Sequence, residues 1–102
     1  MTFQLILQFP ANGIDDFDRL IAFEDAIGES IGRLGVVDGH DAGSGEMNVF
    51  IFTDDPIACF DKIKMMPELQ PLLSELKAAY REEAREAYNV IYPSPSTPFR
   101  VA

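Results

Sequence analysis

The stretch from Val37 to Pro56 constrains the fold of this chain most strongly. It passes from a polar, glycine-rich turn into the run Glu46–Thr53, which is apolar on both sides of a strand. Such a strand is usually central or covered on its second face, here by another subunit or by the C-terminal tail. Asp54-Asp55-Pro56 then predicts a helix start, because aspartate caps helices and proline fits their first position.

Three other segments have the pattern of strands. Residues 2–9 alternate apolar and polar side chains, which predicts a strand with one buried face. Residues 34–40 predict a short strand that a hairpin turn joins to residues 46–53. Residues 88–92 predict the last strand of the sheet.

Apolar residues at helical spacing occur in two regions. The first predicted helix begins at a cap on Asp15 or Asp16 and ends near Arg33. The second begins after the cap at 54–55 and is bent or split near Pro67. Its helical pattern resumes near Glu68 or Pro71 and continues to about Glu86. Each helix would therefore connect two strands.

The resulting order, β-α-β-β-α-β, predicts a ferredoxin-like α+β sandwich. Such a sandwich has a four-stranded antiparallel sheet with both helices on one face. We assign residues 1–92 to a single domain and residues 93–102, which contain three prolines, to a C-terminal tail. Because the other face of such a sheet is open, the sequence also predicts a homodimer.

Charge is distributed unevenly along the chain. Residues 1–61 contain twelve acidic and two basic side chains, a balance of −10, whereas residues 62–102 have a balance of +1. This acidity argues against nucleic-acid binding, which depends on neutralising phosphates, and it would attract a basic protein or a cation. A simpler explanation is that the acidic residues serve solubility alone.

We expect a cytoplasmic protein without membrane contact. The apolar runs are too short to span a membrane, and no signal-peptide pattern follows Met1. The single cysteine, Cys59, cannot form an internal disulfide, which suits a reducing compartment. We expect this cysteine to be a buried structural residue.

Six polar residues in and around the hairpin are not explained by the fold. They are Asp38, His40, Asp41, Ser44, Glu46 and Asn48. Asp38 and His40 are two positions apart and would lie on one side of a strand, and the other four could converge with them across the turn. We take the six residues as a candidate binding site.

This set is compatible with more than one kind of chemistry. Asp38, His40 and Glu46 carry nitrogen and oxygen ligands for a divalent metal, although no second histidine supports such a site. A histidine close to carboxylates and to Ser44 would also permit acid–base chemistry. The glycines are better explained by hairpin geometry than by phosphate binding, since no lysine follows them.

The leading hypothesis is a small, acidic, non-enzymatic binding or regulatory module. Its sharper form is an inhibitor or immunity-type protein that blocks a basic partner by charge complementarity. No cofactor is predicted. The alternative is a metal-assisted or acid–base enzyme centred on the hairpin over residues 38–48.

Overall fold

The computed structural model describes residues 2–10, 17–43 and 45–101, so the caps predicted at Asp15 and Asp16 lie outside it. The strands are β1 (Phe3–Pro10), β2 (Gly35–Gly43), β3 (Glu46–Thr53), β4 (Lys77–Glu82) and β5 (Asn89–Tyr92). The helices are α1 (Phe17–Ile31) and α2 (Pro56–Lys64), and 3₁₀ turns cover Gly32–Leu34 and Pro67–Leu72. Within the described ranges no helix is long and apolar enough to span a membrane.

The strands form one antiparallel sheet in the order β2-β3-β1-β4-β5. β1 is the central strand, where Leu7 is opposite Val49 of β3 on one side and Ala78 of β4 on the other. The predicted α+β class with an antiparallel sheet is therefore confirmed. The sheet has five strands instead of the predicted four, so the predicted ferredoxin-like sandwich is not fully matched.

The helix predicted over residues 68–86 is wrong. The structure has a 3₁₀ turn there, followed by β4 alongside β1. Pro71 lies within the turn and lacks the N–H that a continuing α-helix needs. The residues of β4 favour a helix by composition, but pairing with β1 overrides this preference, because Ala78 and Ala79 are small enough to be fully buried on the two faces of the sheet.

Helix α2 follows the signals in its sequence. Asp55 Oδ1 accepts a hydrogen bond from the Ala58 N–H at 3.0 Å, and Pro56 is the first helical residue. The aspartate satisfies a donor that the first helical turn would otherwise leave unpaired. The helix ends at Lys64, and the following 3₁₀ turn begins at Pro67, where a break was expected.

One face of the sheet, the helix face, carries the hydrophobic core. Leu5, Leu7 and Phe9 of β1 lie on this face, and the Phe9 ring meets the ring of Phe23 from α1 edge-on, with centroids 5.8 Å apart. Other members of the core are Val49 and Ile51 of β3, Ile27 and Ile31 of α1, and Phe60 and Ile63 of α2. Both helices therefore cover the same face.

The opposite face, the tail face, is also covered. Its most buried residues are Ile6, Gln8, Asn48 and Ala79, none more than 2% exposed. Gln8 Nε2 donates hydrogen bonds of 2.9 Å to Asn48 Oδ1 and to the backbone carbonyl of Arg100. The C-terminal segment, residues 93–101, therefore lies against this face. Phe50 and Phe52, the apolar residues of β3 on this face, are half-buried, so the second cover expected for β3 is shown only in part.

Candidate functional site

A hydrogen bond joins the edge strand β2 to helix α1. His40 Nδ1 lies 2.7 Å from Glu24 Oε1, and because a carboxylate only accepts, the His40 ring nitrogen donates. The side chains are partly shielded, since 29% of the His40 side chain and 12% of the Glu24 side chain are exposed. The pair fixes β2 against α1 at the molecular surface.

Glu24 was not among the candidate residues. It lies four positions after Leu20 and three before Ile27, both of which are buried in the core. A carboxylate at this spacing sits beside the apolar stripe of its helix, where it can reach the neighbouring strand. That spacing is the signal in the sequence, but the identity of its partner is not local to α1.

Strand β2 is irregular at Asp38. Its register with β3 shifts between Val37 and Gly39, and Gly39 has a φ of 142°, which side-chain-bearing residues rarely adopt. Next to this bulge, α1 and β2 form an open recess of about 280 Å³. The recess is lined by Ile21, Glu24, Asp25, Val37, Asp38 and Gly39. Carboxylates from a helix and a strand therefore meet around one depression.

Two of the candidate residues lie on the α1 side of β2. Asp38 lines the recess, and His40 is bonded to Glu24, which lines the same recess. The expectation that Asp38 and His40 share one side of the strand is compatible with these contacts. The bulge rather than simple alternation places them there.

Three other candidates belong to the tail face. Asp41 is directly opposite Asn48 in the β2–β3 register, and the buried Asn48 side chain is bonded to Gln8. Glu46 lies two residues before Asn48 on β3 and so shares its side of the strand. The described candidates therefore do not gather at one point, and Ser44 lies outside the described residues.

The suggested metal ligands are separated by the sheet. His40 is opposite Val49, and Glu46 is three residues before Val49 on β3. Glu46 therefore lies roughly 10 Å along the strand from His40, and its side chain is on the other face of the sheet. Ligands of one zinc ion lie about 2 Å from it. Among the residues that the structure describes, no group of three or more His, Cys, Asp or Glu is placed to hold a metal ion. A metal site stays a hypothesis.

Cys59 of α2 is fully buried and belongs to the hydrophobic core. Burial raises the pKa of its thiol from 9.0 to about 11; a hydrogen bond with Thr53 opposes this rise, and the charge of Asp55 adds to it. The thiol is therefore protonated at neutral pH and a poor nucleophile. The expectation of a buried structural cysteine is confirmed.

The carboxylates of the recess form an acidic surface, which we name the acidic edge. It consists of Glu24 and Asp25 of α1 with Asp38 of β2. All except Glu24 are exposed. Neither β2 nor β3 contains a lysine or an arginine. Negative charge is thus concentrated on two adjoining elements at one end of the sheet.

No protein-family model, curated protein or solved structure matches the chain. Fold and site define a small α+β protein with an acidic edge on one side of its sheet and a covered second face. Its function has to be argued from these residues.

Proposed function

We propose that the protein is a small, non-enzymatic binding or regulatory module and that the acidic edge contacts a basic protein. The observation that carries the proposal is the His40–Glu24 bond of 2.7 Å. This bond holds the edge strand against α1, so that carboxylates from both elements surround one recess. A surface built from two fixed elements can present its charges in a constant arrangement.

The physical basis of recognition is charge complementarity. Like charges that are close together raise the local potential, which accelerates the encounter with a partner of opposite charge. Ile21 and Val37 in the recess add apolar contact for the stem of a lysine or arginine. A basic side chain therefore finds both carboxylates and aliphatic surface at the acidic edge.

An inhibitor or immunity-type role is the sharper form of this proposal. An inhibitor must cover the functional surface of its target, and an acidic surface suits a target whose functional surface is basic. The unequal charge of the chain, −10 over residues 1–61 against +1 over residues 62–102, supports the acidic edge as the contact surface.

The test compares two variants with the same change in net charge. Asp25→Asn with Asp38→Asn removes two charges from the acidic edge, whereas Glu83→Gln with Glu86→Gln removes two exposed charges elsewhere. We expect a fluorescent decalysine peptide to bind the first variant about two- to thirtyfold more weakly than the unmodified protein, since exposed ion pairs contribute about 0.2–1 kcal/mol each. The measurement is fluorescence anisotropy at low and at physiological salt.

The second variant is the control for net charge. Its affinity for decalysine should stay close to that of the unmodified protein, and added salt should weaken all binding. Equal losses in the two variants would show that only net charge matters, and the acidic edge would then not be a defined contact surface.

An acid–base enzyme is a second candidate, and the His40–Glu24 pair is the observation that favours it. A carboxylate that orients a histidine is a common feature of general bases. Under this alternative, His40→Gln abolishes turnover of a substrate while decalysine binding is retained. Metal analysis of protein purified without a histidine tag tests the metal-assisted form, for which no resident cofactor is otherwise predicted.

The homodimer and the cytoplasmic location stay predictions. The homodimer was inferred from an open sheet face, and in the structure the C-terminal segment contacts part of this face. Sedimentation equilibrium at high protein concentration is the direct test of the homodimer.

A further inference from the structure

The C-terminal segment is itself less buried than the positions of the tail face against which it lies. The Thr97 N–H donates to the Ser94 carbonyl at 3.1 Å, so the chain turns before residues 98–101. None of residues 93–101 is buried, whereas Ile6 and Ala79 on the tail face are 0% exposed. Segments with few buried apolar contacts are the ones that open locally at low free energy.

Exposure alternates along the end of this segment. Thr97, Phe99 and Val101 are half-buried, while Pro98 and Arg100 are exposed. This period of two is that of an extended chain with one side against a surface. The Phe99 ring also packs against the Tyr88 ring, with centroids 5.1 Å apart. The segment is therefore placed like a bound peptide, with apolar side chains inward at alternate positions.

Gln8 provides a recognition group for a backbone. Its side chain is 2% exposed, and its Nε2 donates one hydrogen bond to Asn48 Oδ1 and another to the Arg100 carbonyl. The first bond orients the amide, and the second is made to a main-chain group that every residue possesses. Gln8 therefore selects an extended backbone at a fixed position and places no requirement on the side chain of the residue it contacts.

We propose that the tail face is a binding surface for an extended segment of a partner protein, and that the C-terminal segment occupies it as a displaceable internal ligand. The partner segment has apolar side chains at alternate positions, flanking a residue whose carbonyl accepts from Gln8. The proposal does not depend on the acidic edge.

Displacement has to be an exchange between segments. If the segment left the face, a Gln8 donor would lose the Arg100 carbonyl and the Tyr88 ring would lose its contact with Phe99, and both changes are unfavourable. A partner segment that repeats the same contacts removes both penalties. The internal segment thus lowers the apparent affinity of the face for competitors and restricts binding to segments that match its chemistry.

The experiment uses the full chain and a labelled synthetic peptide of residues 93–102. In one protein variant, Phe99→Ala with Val101→Ala weakens the internal segment. A second peptide has the Arg100 carbonyl reduced to a methylene, which removes the acceptor for Gln8, and a third has the same composition in scrambled order. Binding is measured by fluorescence anisotropy, and folding is checked by circular dichroism.

We expect the labelled peptide to bind the weakened variant at least about tenfold more tightly than the unmodified protein, since the internal competitor is impaired. The reduced peptide should bind about tenfold more weakly than the parent peptide, and the scrambled peptide should not compete. Equal binding of the parent and scrambled peptides, or no binding to the folded variant, would overturn the proposal. Loss of folding in the variant would also overturn it, because the segment would then be an integral part of the fold.

Discussion

Both faces of the sheet contain fully buried positions, but these positions are covered by different means. On the helix face, two helices cover the strands with apolar side chains such as Phe23 and Phe60. On the tail face, a segment without a buried residue lies over fully buried positions, and the contact includes hydrogen bonds from Gln8. Equal burial of single residues such as Ile6 and Leu7 therefore does not mean equal resistance of the two faces to local opening.

This difference separates two roles within one small sheet. The helix face joins elements that are distant in sequence into one core, so its loss would unfold the chain. The tail face depends on a peripheral segment whose contacts can be removed while the core remains. The C-terminal segment can therefore be exchanged for a partner segment while the helix face stays packed.

The largest expected effect comes from neighbouring residues of β1 that point to opposite faces. Leu7 and Ile6 are both 0% exposed, and only Leu7 belongs to the helix-face core. We expect Leu7→Ala to lower the free energy of unfolding by about 3–5 kcal/mol. We expect Ile6→Ala to lower it by about 2–3 kcal/mol, because the C-terminal segment can relax into the cavity left on the tail face. Urea denaturation gives both values.

Each of these variants is the control for the other, since they share a strand and a similar side-chain volume. A loss for Ile6→Ala that equals or exceeds the loss for Leu7→Ala would show that the C-terminal segment is packed as rigidly as the helices. The contrast between the two faces would then disappear.

The sequence predicted those parts of the fold that depend on local patterns. The alternation of residues 2–9, the apolar run of β3 and the Asp55–Pro56 helix start are all present in the structure. β4 was missed because Lys77–Glu82 consists of residues that favour helices. Its strand conformation comes from pairing with β1, whose paired residues are 69 to 79 positions away. Long-range pairing of this kind leaves no periodic signal.

A smaller effect is expected from the hydrogen bonds of the tail face. Gln8→Leu leaves the Asn48 and Arg100 acceptors without the donor that they share, so we expect a loss of about 1–3 kcal/mol in the free energy of unfolding. Gln4 is the matched position on the same side of β1, where its half-buried side chain accepts from Arg81 Nε at 2.9 Å. We expect Gln4→Leu to cost less than about 1 kcal/mol.

Thermal and urea unfolding of both variants tests this difference. Similar stabilities for Gln8→Leu and the unmodified protein would mean that the hydrogen bonds to Asn48 and Arg100 do not hold the segment in place. The tail face would then be an ordinary apolar contact, and Gln8 would have no special place in the comparison.

The candidate site was predicted only in outline, because its contacts join residues that are distant in sequence. Asp38 and His40 were identified as polar residues in a constrained strand, but the Glu24 partner of His40 comes from another element. The Gln8–Arg100 bond spans ninety-two positions and leaves no local pattern. Asn48 was assigned to the hairpin site, whereas its side chain is buried on the tail face. Composition indicated the acidic region but not which carboxylates meet.

A pH-dependent effect is expected from Cys59, which reports on the helix face alone. Its pKa is raised from 9.0 to about 11 by burial, so the folded state holds the thiol proton more tightly than the unfolded state. The resulting stabilisation is complete below pH 9 and is lost as the pH rises towards 11. We expect Cys59→Ala to unfold with a shallower pH dependence in this window, by at most about 1.4 kcal/mol per pH unit.

Weakening the C-terminal segment should open the tail face without opening the helix face. Phe99→Ala with Val101→Ala should leave the rate of Cys59 alkylation by iodoacetamide at pH 8 unchanged, because the helix face stays closed when the tail face opens. Faster alkylation in this variant would show that the two faces open together. The C-terminal segment would then be coupled to the core, and its exchange for a partner segment would carry the full cost of unfolding.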